Sequence, residues 1–263
     1  MKIYADYSEE PEDQFLPLPE QLGCDFYDLE MDSYTEDLSF YKKHLPFRGL
    51  SLELGCGSGR VCRRLATRQR PFIGIDINLA SLQQAAQRKQ PHVQYLNMDM
   101  VQLGLAAPFN AVIAAYNTLN LLTSRQKIND CLQGCRKILQ PGGRFLAQIF
   151  IPAESLVISK KKLFQFQMFD RPGGGKVIKE VVKQYQPFQQ NIQVEERYRV
   201  RPMQQGLANE DWHQIYTAAA FSRSTWLQIF SQAGFSLVHH YSNFTNGSSP
   251  AGDPSRLLVH LEA

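Results

Sequence analysis

The segment Ser51-Leu-Glu-Leu-Gly-Cys-Gly-Ser-Gly-Arg60 decides the fold, because a hydrophobic strand meets an acidic residue and three alternating glycines there. Glycine has no Cβ, so the backbone at Gly55, Gly57 and Gly59 can adopt positive φ values and come close to a ligand. A helix predicted from about Gly59 to Arg68 would direct its free N–H groups at that ligand. The segment therefore predicts a nucleotide-type cofactor site.

The spacing of the glycines distinguishes two cofactors. The dinucleotide fingerprint G-x-G-x-x-G needs a small residue where this chain has Arg60, since the helix must pack closely on the strand beside the pyrophosphate. This mismatch disfavours a nicotinamide oxidoreductase. The pattern present is E-x-G-x-G-x-G, from Glu53 to Gly59. It resembles motif I of the class I S-adenosylmethionine (SAM) methyltransferases.

The resemblance implies SAM as the cofactor, with S-adenosylhomocysteine as its product. In that family the glycine loop holds the amino-acid end of SAM, and a carboxylate after the second strand accepts the ribose hydroxyls. An acidic residue after the third strand, Val93 to Leu96, bonds the adenine amino group. The residues that match these family contacts, with their neighbours, are Glu53, Gly55, Cys56, Gly57, Gly59, Asp76, Ile77, Asp99 and Met100.

Further strands extend the resemblance. A strand from Ala111 to Tyr116 opens into Asn117, so Tyr116 and Asn117 join the expected cofactor contacts. The L-x-P-G-G-x turn of residues 139–144 precedes a fifth strand, as it does in the family. Because right-handed crossovers bring parallel strand ends to one edge of a sheet, all these residues are expected to converge.

The N-terminal region is similar to the stretch that precedes motif I in a large bacterial group of these enzymes. Related small-molecule enzymes use an N-terminal tyrosine hydroxyl on the SAM carboxylate, which makes Tyr27 and Tyr34 candidates, with packing as the alternative for each. Arg60 is a further candidate for that carboxylate, because a cation in the first turn of a helix opposes the helix dipole and needs a partner.

Strands and helices alternate along most of the chain, which predicts an α/β fold. We expect a doubly wound, Rossmann-like methyltransferase sheet, mostly parallel, with an antiparallel last strand. Four short runs between residues 163 and 218 predict an antiparallel β insertion, which resembles the lid of small-molecule methyltransferases. The expected divisions are a helical cap over the cofactor at 1–45, a SAM-binding core at 46–153, the lid insertion at 154–221, and a helix with the last two strands at 222–263.

The sequence predicts capping residues for two helices of the core. Asn78 is placed to cap a helix from Leu79 to Gln90, and Thr123 with Gln126 offers a capping box for a helix ending near Leu139. Cys131 and Cys135 share the apolar face of that second helix and are expected to be buried thiols. No histidine or further cysteine completes a ligand set beside them, so no metal site is expected.

Composition excludes several classes of protein. The chain has 263 residues and 43% hydrophobic content, enough for a sizeable core, and no apolar run reaches the ~20 residues of a membrane span. With no signal-peptide core, a cytoplasmic protein without a membrane partner is expected. The net charge of +3 is mild, so nucleic-acid binding is not favoured. Tyr116 to Asn120 also replaces the D/N-P-P-Y type motif of DNA amino-methyltransferases.

The predicted function is methyl transfer from SAM to a nitrogen or oxygen nucleophile of a small molecule. His213 is the candidate general base because imidazole titrates near neutral pH, with packing or surface exposure as the alternative reading. The alternatives are a SAM-binding protein that transfers no methyl group, and a methyltransferase acting on nucleic acid or protein. The identity of the acceptor and the oligomeric state stay open.

Overall fold

A computed structural model of the chain describes residues 15–106, 108–159, 162–203, 208–244 and 253–263. The α-helices are α1 (Glu20–Met31), α2 (Leu38–His44), α3 (Cys62–Leu65), α4 (Leu79–Gln87), α5 (Arg125–Ile138), α6 (Glu154–Ser159) and α7 (Arg223–Gln232). The strands are β1 (Leu16–Pro17), β2 (Ser51–Leu54), β3 (Phe72–Asp76), β4 (Val93–Asn97), β5 (Phe109–Ala114), β6 (Leu139–Phe150), β7 (Leu163–Asp170), β8 (Gly175–Gln186), β9 (Asn191–Pro202), β10 (Glu210–Ala219), β11 (Ser236–Tyr241) and β12 (Arg256–Glu262). A 3₁₀ turn, Thr118–Leu121, follows β5.

The chain divides into two compact units. Ser33–Ile151 and Phe221–Ala263 form one, here called the core unit, while Pro152–Ala220 and the segment ending at Asp32 form the other, the insert unit. Residues 1–45, expected to form one helical cap, are divided between the two units at Asp32. The reason is packing: α1 contributes Phe26 to the hydrophobic cluster of the insert unit, and α2 contributes its apolar residues to the core unit.

The core unit contains a seven-stranded sheet with the order β11-β12-β6-β5-β2-β3-β4 among the described residues. Strands β2 to β6 pair in parallel, and β12 runs antiparallel to β6. The predicted Rossmann-like fold with an antiparallel last strand is therefore confirmed. Cys131 and Cys135 are fully buried on α5, as predicted.

Two helix predictions for the core unit are wrong. The helix expected from Gly59 to Arg68 is only the single turn α3, because Ala66 is extended and Thr67 and Arg70 close a turn with reciprocal main-chain hydrogen bonds. The Arg70 guanidinium then donates to the carbonyl of Leu65, which ends the helix (2.9 Å).

Helix α5 begins one residue later than the capping box predicts. Its N-cap is Ser124, whose hydroxyl accepts from the N–H of Lys127 (3.2 Å), so the Thr123–Gln126 pairing is wrong. The other predicted cap is confirmed, since Asn78 accepts from the N–H of Ser81 (2.9 Å).

The insert unit is built on a five-stranded sheet with the order β1-β10-β9-β8-β7 among the described residues. Its four long strands are antiparallel and match the four runs predicted from the sequence. Helix α1 packs on one face, where the ring of Phe26 stacks on Tyr198 at 4.7 Å between centroids. None of the described helices is long and apolar enough to cross a membrane.

Candidate cofactor site

The glycine loop follows β2 and adopts the backbone that only glycine accepts readily. Gly55, Gly57 and Gly59 have φ values of 57°, 53° and 78°. A Cβ on Gly55 would lie 2.6 Å from Cγ2 of Thr118, and one on Gly59 would lie 2.3 Å from the hydroxyl oxygen of Tyr95. The turn therefore tolerates no larger residue at these two positions.

Asp76 closes the glycine loop from the neighbouring strand. Its Oδ2 accepts from the N–H of Gly57, and its Oδ1 accepts from the N–H of Asn78, both at 2.8 Å. A carboxylate offers about four acceptor positions, so about two stay available for hydroxyl donors. The next residue, Ile77, is 72% exposed, which gives the edge of the sheet an apolar surface beside the carboxylate.

Asp99 lies in the loop after β4. Its Oδ1 accepts from the N–H of Val101 at 2.8 Å, and the side chain is exposed beside the partly buried Met100. The loop is tied to β3, because the N–H of Met98 and the amide of Asn97 both donate to the carbonyl of Asp76 (3.0 Å each). The structure thus brings the ends of β3 and β4 together, as sequence analysis predicts for the two acids.

The loop after β5 completes the edge. Tyr116 and Asn117 have φ values of 43° and 65°, a conformation that costs free energy in residues with a Cβ. The N–H of Asn117 donates to the carbonyl of Gln148 (3.1 Å), and the side-chain amide of Asn120 bonds both main-chain groups of Phe150 (3.0 Å each). These bonds fix the loop against β6.

Glu53 lies beneath the glycine loop and is 2% exposed. Its Oε2 accepts from the N–H of Cys62 at 2.7 Å, which joins β2 to the first turn of α3. Burial raises the pKa of Glu53 to about 7, against the opposing effect of the Cys62 hydrogen bonds. Burial also raises the pKa of the Cys56 thiol well above its usual value, which disfavours the reactive thiolate.

Arg60 has a protein partner that sequence analysis misses. Its guanidinium forms two hydrogen bonds to the carboxylate of Asp37 (2.9 and 2.6 Å), and both side chains are almost fully buried. The same guanidinium donates to the carbonyl of Tyr34 (3.0 Å) and lies 5.3 Å from the centre of its ring. Burial raises the pKa of Tyr34 to about 12, which keeps its hydroxyl protonated.

Two candidates belong to the insert unit. Tyr27 lies on α1 and is 37% exposed, and His213 lies on β10. The ring of His213 is 6.5 Å from that of Phe15, and its carbonyl accepts from the N–H of Leu18 (2.8 Å). All other candidates lie in the core unit.

Three polar residues of this region escape sequence analysis, namely Asp37, Asn120 and Gln148. Each is buried. Gln148 carried a signal, because it is the one polar residue in the otherwise apolar run Phe145-Leu-Ala-Gln-Ile-Phe150. Asp37 lies in the N-terminal stretch that resembles the family, but its pairing with Arg60 could not be predicted, since 23 residues separate the two.

The fold of this chain is shared with solved SAM-dependent methyltransferases. Residues 52–143 match a family described as a methyltransferase domain. The predicted resemblance to SAM-dependent methyltransferases is confirmed.

Individual proteins agree with this class. The chain is 28% identical over 120 residues to a putative methyltransferase, YqeM, of Bacillus subtilis, covering 44% of this chain and 48% of that protein. It therefore spans about half the length of that curated relative.

Solved structures show the same fold at low sequence identity. SAM-bound CalS10, an amino pentose methyltransferase from Micromonospora echinaspora, superposes with a TM-score of 0.71 at 18% identity, over 98% of this chain and 100% of that one. The sugar N-methyltransferase KedS8 from a Streptoalloteichus species superposes with a TM-score of 0.73 at 15% identity, over 98% of each chain.

Proposed function

We propose that this protein is an enzyme that transfers the methyl group of SAM to a nitrogen or oxygen nucleophile of a small molecule. The observation that carries the proposal is the hydrogen bond between Gly57 and Asp76 (2.8 Å), inside the methyltransferase domain. This bond joins a bare main-chain loop to a carboxylate that keeps acceptor capacity. Main-chain N–H groups and a carboxylate suit the amino-acid and ribose parts of SAM.

The residues of the carboxyl edge fit the cofactor. The loop at Gly55, Cys56 and Gly57 would hold the amino-acid end, and Asp76 would accept from the ribose hydroxyls. Asp99 would bond the adenine amino group, with the ring packed against Ile77 and Met100. Glu53 acts through Cys62 by fixing the loop, and Tyr116 and Asn117 border the position of the reacting atoms.

SAM supplies an electrophilic methyl carbon on a sulfonium. The chain must hold a nucleophile in line with that carbon and exclude water from it. Tyr34, whose carbonyl accepts a hydrogen bond from Arg60, would contact the amino-acid end of SAM. Because Arg60 is committed to Asp37, we propose that it positions Tyr34 rather than binding the SAM carboxylate alone. Tyr27 is the alternative tyrosine.

The acceptor is proposed to be small because of the insertion after β6. Small-molecule methyltransferases carry such an antiparallel insertion, and similar folds include the amino pentose and sugar N-methyltransferases named above. In this proposal residues 46–153 hold SAM, residues 154–221 recognise the acceptor, and His213 is the candidate base. Residues 33–45 and 222–263, which belong to the core unit, would support the cofactor segment.

Calorimetric titration with SAM, S-adenosylhomocysteine and NAD tests the cofactor. We expect SAM and its product to bind and NAD not to bind. Transfer of labelled methyl groups to a panel of amino sugars, amino acids and alcohols tests the reaction. Binding of SAM without labelling of any acceptor would favour a SAM-binding protein that transfers no methyl group, and labelling of protein or nucleic acid would replace the small acceptor.

A further inference from the structure

Gln148 has a buried polar atom that the protein leaves unused. The residue is 4% exposed, and its Oε1 has no hydrogen-bond partner. A buried acceptor without a partner costs stability, and native proteins keep few of them. Such an atom calls for an explanation beyond folding.

The position of Gln148 connects it with the proposed reaction. It is the third residue from the carboxyl end of β6, and its carbonyl accepts from Asn117 in the loop after β5. Its register partner on β12 is Leu258. Leu258 and Leu146, which lies on the same face of β6 as Gln148, belong to the hydrophobic cluster that includes Tyr41 and contacts Tyr34. The side chain therefore lies on the face of the sheet that carries Tyr34.

We propose that Gln148 orients the methyl acceptor and that this acceptor is an uncharged primary or secondary amine. The inference rests on the proposed function and specifies its substrate class. The carboxamide oxygen would accept a hydrogen bond from an N–H of the amine, leaving the nitrogen lone pair directed away from the glutamine. A carboxamide can also turn about its last bond, so its oxygen can be presented to a ligand.

The charge of the surrounding side chains supports an amine. In the core unit, the described polar side chains at the carboxyl end of β6 and in the turn after β5 are Tyr116, Asn117, Thr118, Asn120 and Gln148, all neutral. The neighbouring strand β12 brings one charged residue, the cation Arg256, into register with Phe150 at this end of β6. A hydroxyl acceptor usually needs a base within hydrogen-bond reach, whereas an amine can lose its proton to water before it attacks. A neutral amide also suits a free amine better than a carboxylate, which would stabilise the ammonium form and raise its pKa.

For an amine the chemistry balances without a base from the protein, and His213 is needed as a base only if the acceptor is a hydroxyl. The nitrogen lone pair forms the bond to the methyl carbon as the bond between that carbon and sulfur breaks, and sulfur keeps the electron pair of the broken bond. The methylated nitrogen then loses a proton to water. Gln148 positions the nitrogen and takes no proton.

The test compares Gln148→Met with Gln140→Met. Methionine keeps the length of glutamine and removes its hydrogen bonds, and Gln140 lies at the opposite end of the same strand. The probes are an amino sugar and the sugar with a hydroxyl at the same carbon, with labelled SAM. We expect the wild type to methylate only the amine. Gln148→Met should lower kcat/KM about tenfold to a hundredfold, while Gln140→Met leaves it unchanged. SAM affinity should stay within about twofold in both variants.

A second measurement needs no variant. If only the free amine reacts, the wild-type kcat/KM rises with pH through the pKa of the acceptor, and the profile moves when an amine of different pKa is used. A profile that stays fixed would show that a protein base titrates and would overturn the inference. So would methylation of the hydroxyl alone, no methylation of any amine, or equal rates for Gln148→Met and wild type. Failure of the wild type to bind SAM would instead overturn the proposed function.

Discussion

The acids that the core unit offers to a cofactor and the buried charges of the insert sheet lie at different positions on their strands. In the core unit, the two acids proposed to contact the cofactor, Asp76 and Asp99, lie at strand ends and accept from main-chain N–H groups. In the insert unit, Lys179 and Glu196 lie in the middle of β8 and β9 and are each 7% exposed. The carboxylates at the strand ends of the core unit keep acceptor capacity for a ligand. The charges of Lys179 and Glu196 are instead satisfied by other groups of the protein.

The insert network is closely bonded. The ammonium of Lys179 lies 2.6 Å from Glu30 and 2.9 Å from Glu196, and Glu196 also accepts from Tyr198 (2.9 Å) and Gln214 (2.6 Å). The carboxylates hold the pKa of Lys179 above its usual value despite burial, and the ammonium holds the pKa of Glu196 below its own. A mid-strand charge therefore serves folding, whereas a strand-end charge can serve binding.

The largest loss of stability is expected when Lys179 is replaced. Lys179→Met leaves the buried carboxylate of Glu196 and the partly buried carboxylate of Glu30 without their cation, and the loss of a buried partner costs about 3–5 kcal/mol. Urea denaturation of the full chain measures the effect on the free energy of unfolding. Lys176→Met is the matched control, because Lys176 is exposed and pairs with the exposed Asp170. Similar losses in both variants would show that burial of the network does not matter.

Glu53, the buried acid beneath the glycine loop, should make the stability of the protein depend on pH. Glu53 has a folded pKa of about 7, raised from 4.5, so the folded state favours the protonated form. Its contribution to stability is complete below about pH 4.5 and is lost as pH rises through about 7, a loss approaching about 3 kcal/mol.

Glu53→Gln should remove this dependence, because the amide oxygen can still accept from Cys62 and does not titrate. Free energies of unfolding at about pH 5 and about pH 8 measure the slope, which should be flatter in Glu53→Gln than in the wild type. Glu154→Gln changes an exposed glutamate and should leave the slope unchanged. An unaltered slope in Glu53→Gln would contradict the assigned pKa.

Asp76 should affect binding and spare folding. Asp76→Ala removes the acceptor for the ribose hydroxyls, and hydrogen bonds to charged groups are strong enough that SAM affinity should fall at least about tenfold. Calorimetry measures the affinity, and circular dichroism checks the fold. Glu262→Ala is the control, since Glu262 is the register partner of Arg144 near the start of β6, at the opposite end of the strands of the same sheet. Unchanged affinity in Asp76→Ala would remove the ribose role.

Sequence pattern predicted the parts of this molecule that repeat locally. The strands of the insert were predictable because alternating residues and turn chemistry mark them, and the glycine loop because only glycine accepts its φ values. The length of α3 was not predictable, because a hydrogen bond from the Arg70 side chain to the carbonyl of Leu65 ends this helix. The partner of Arg60 was not predictable either, because Asp37 becomes its neighbour only after folding.

The smallest effect is expected at a local feature of the core unit. Ser124→Ala removes the side-chain acceptor of the Lys127 N–H at the start of α5, and loss of such a cap costs about 1 kcal/mol. Ser124→Asp keeps an acceptor there and should restore most of the stability. The residue is exposed, so water replaces the lost bond, which is the opposite of the situation at Lys179. Thermal denaturation should rank Ser124→Ala above Lys179→Met in stability, and the reverse order would mean that exposure does not set the cost of losing a polar partner in this fold.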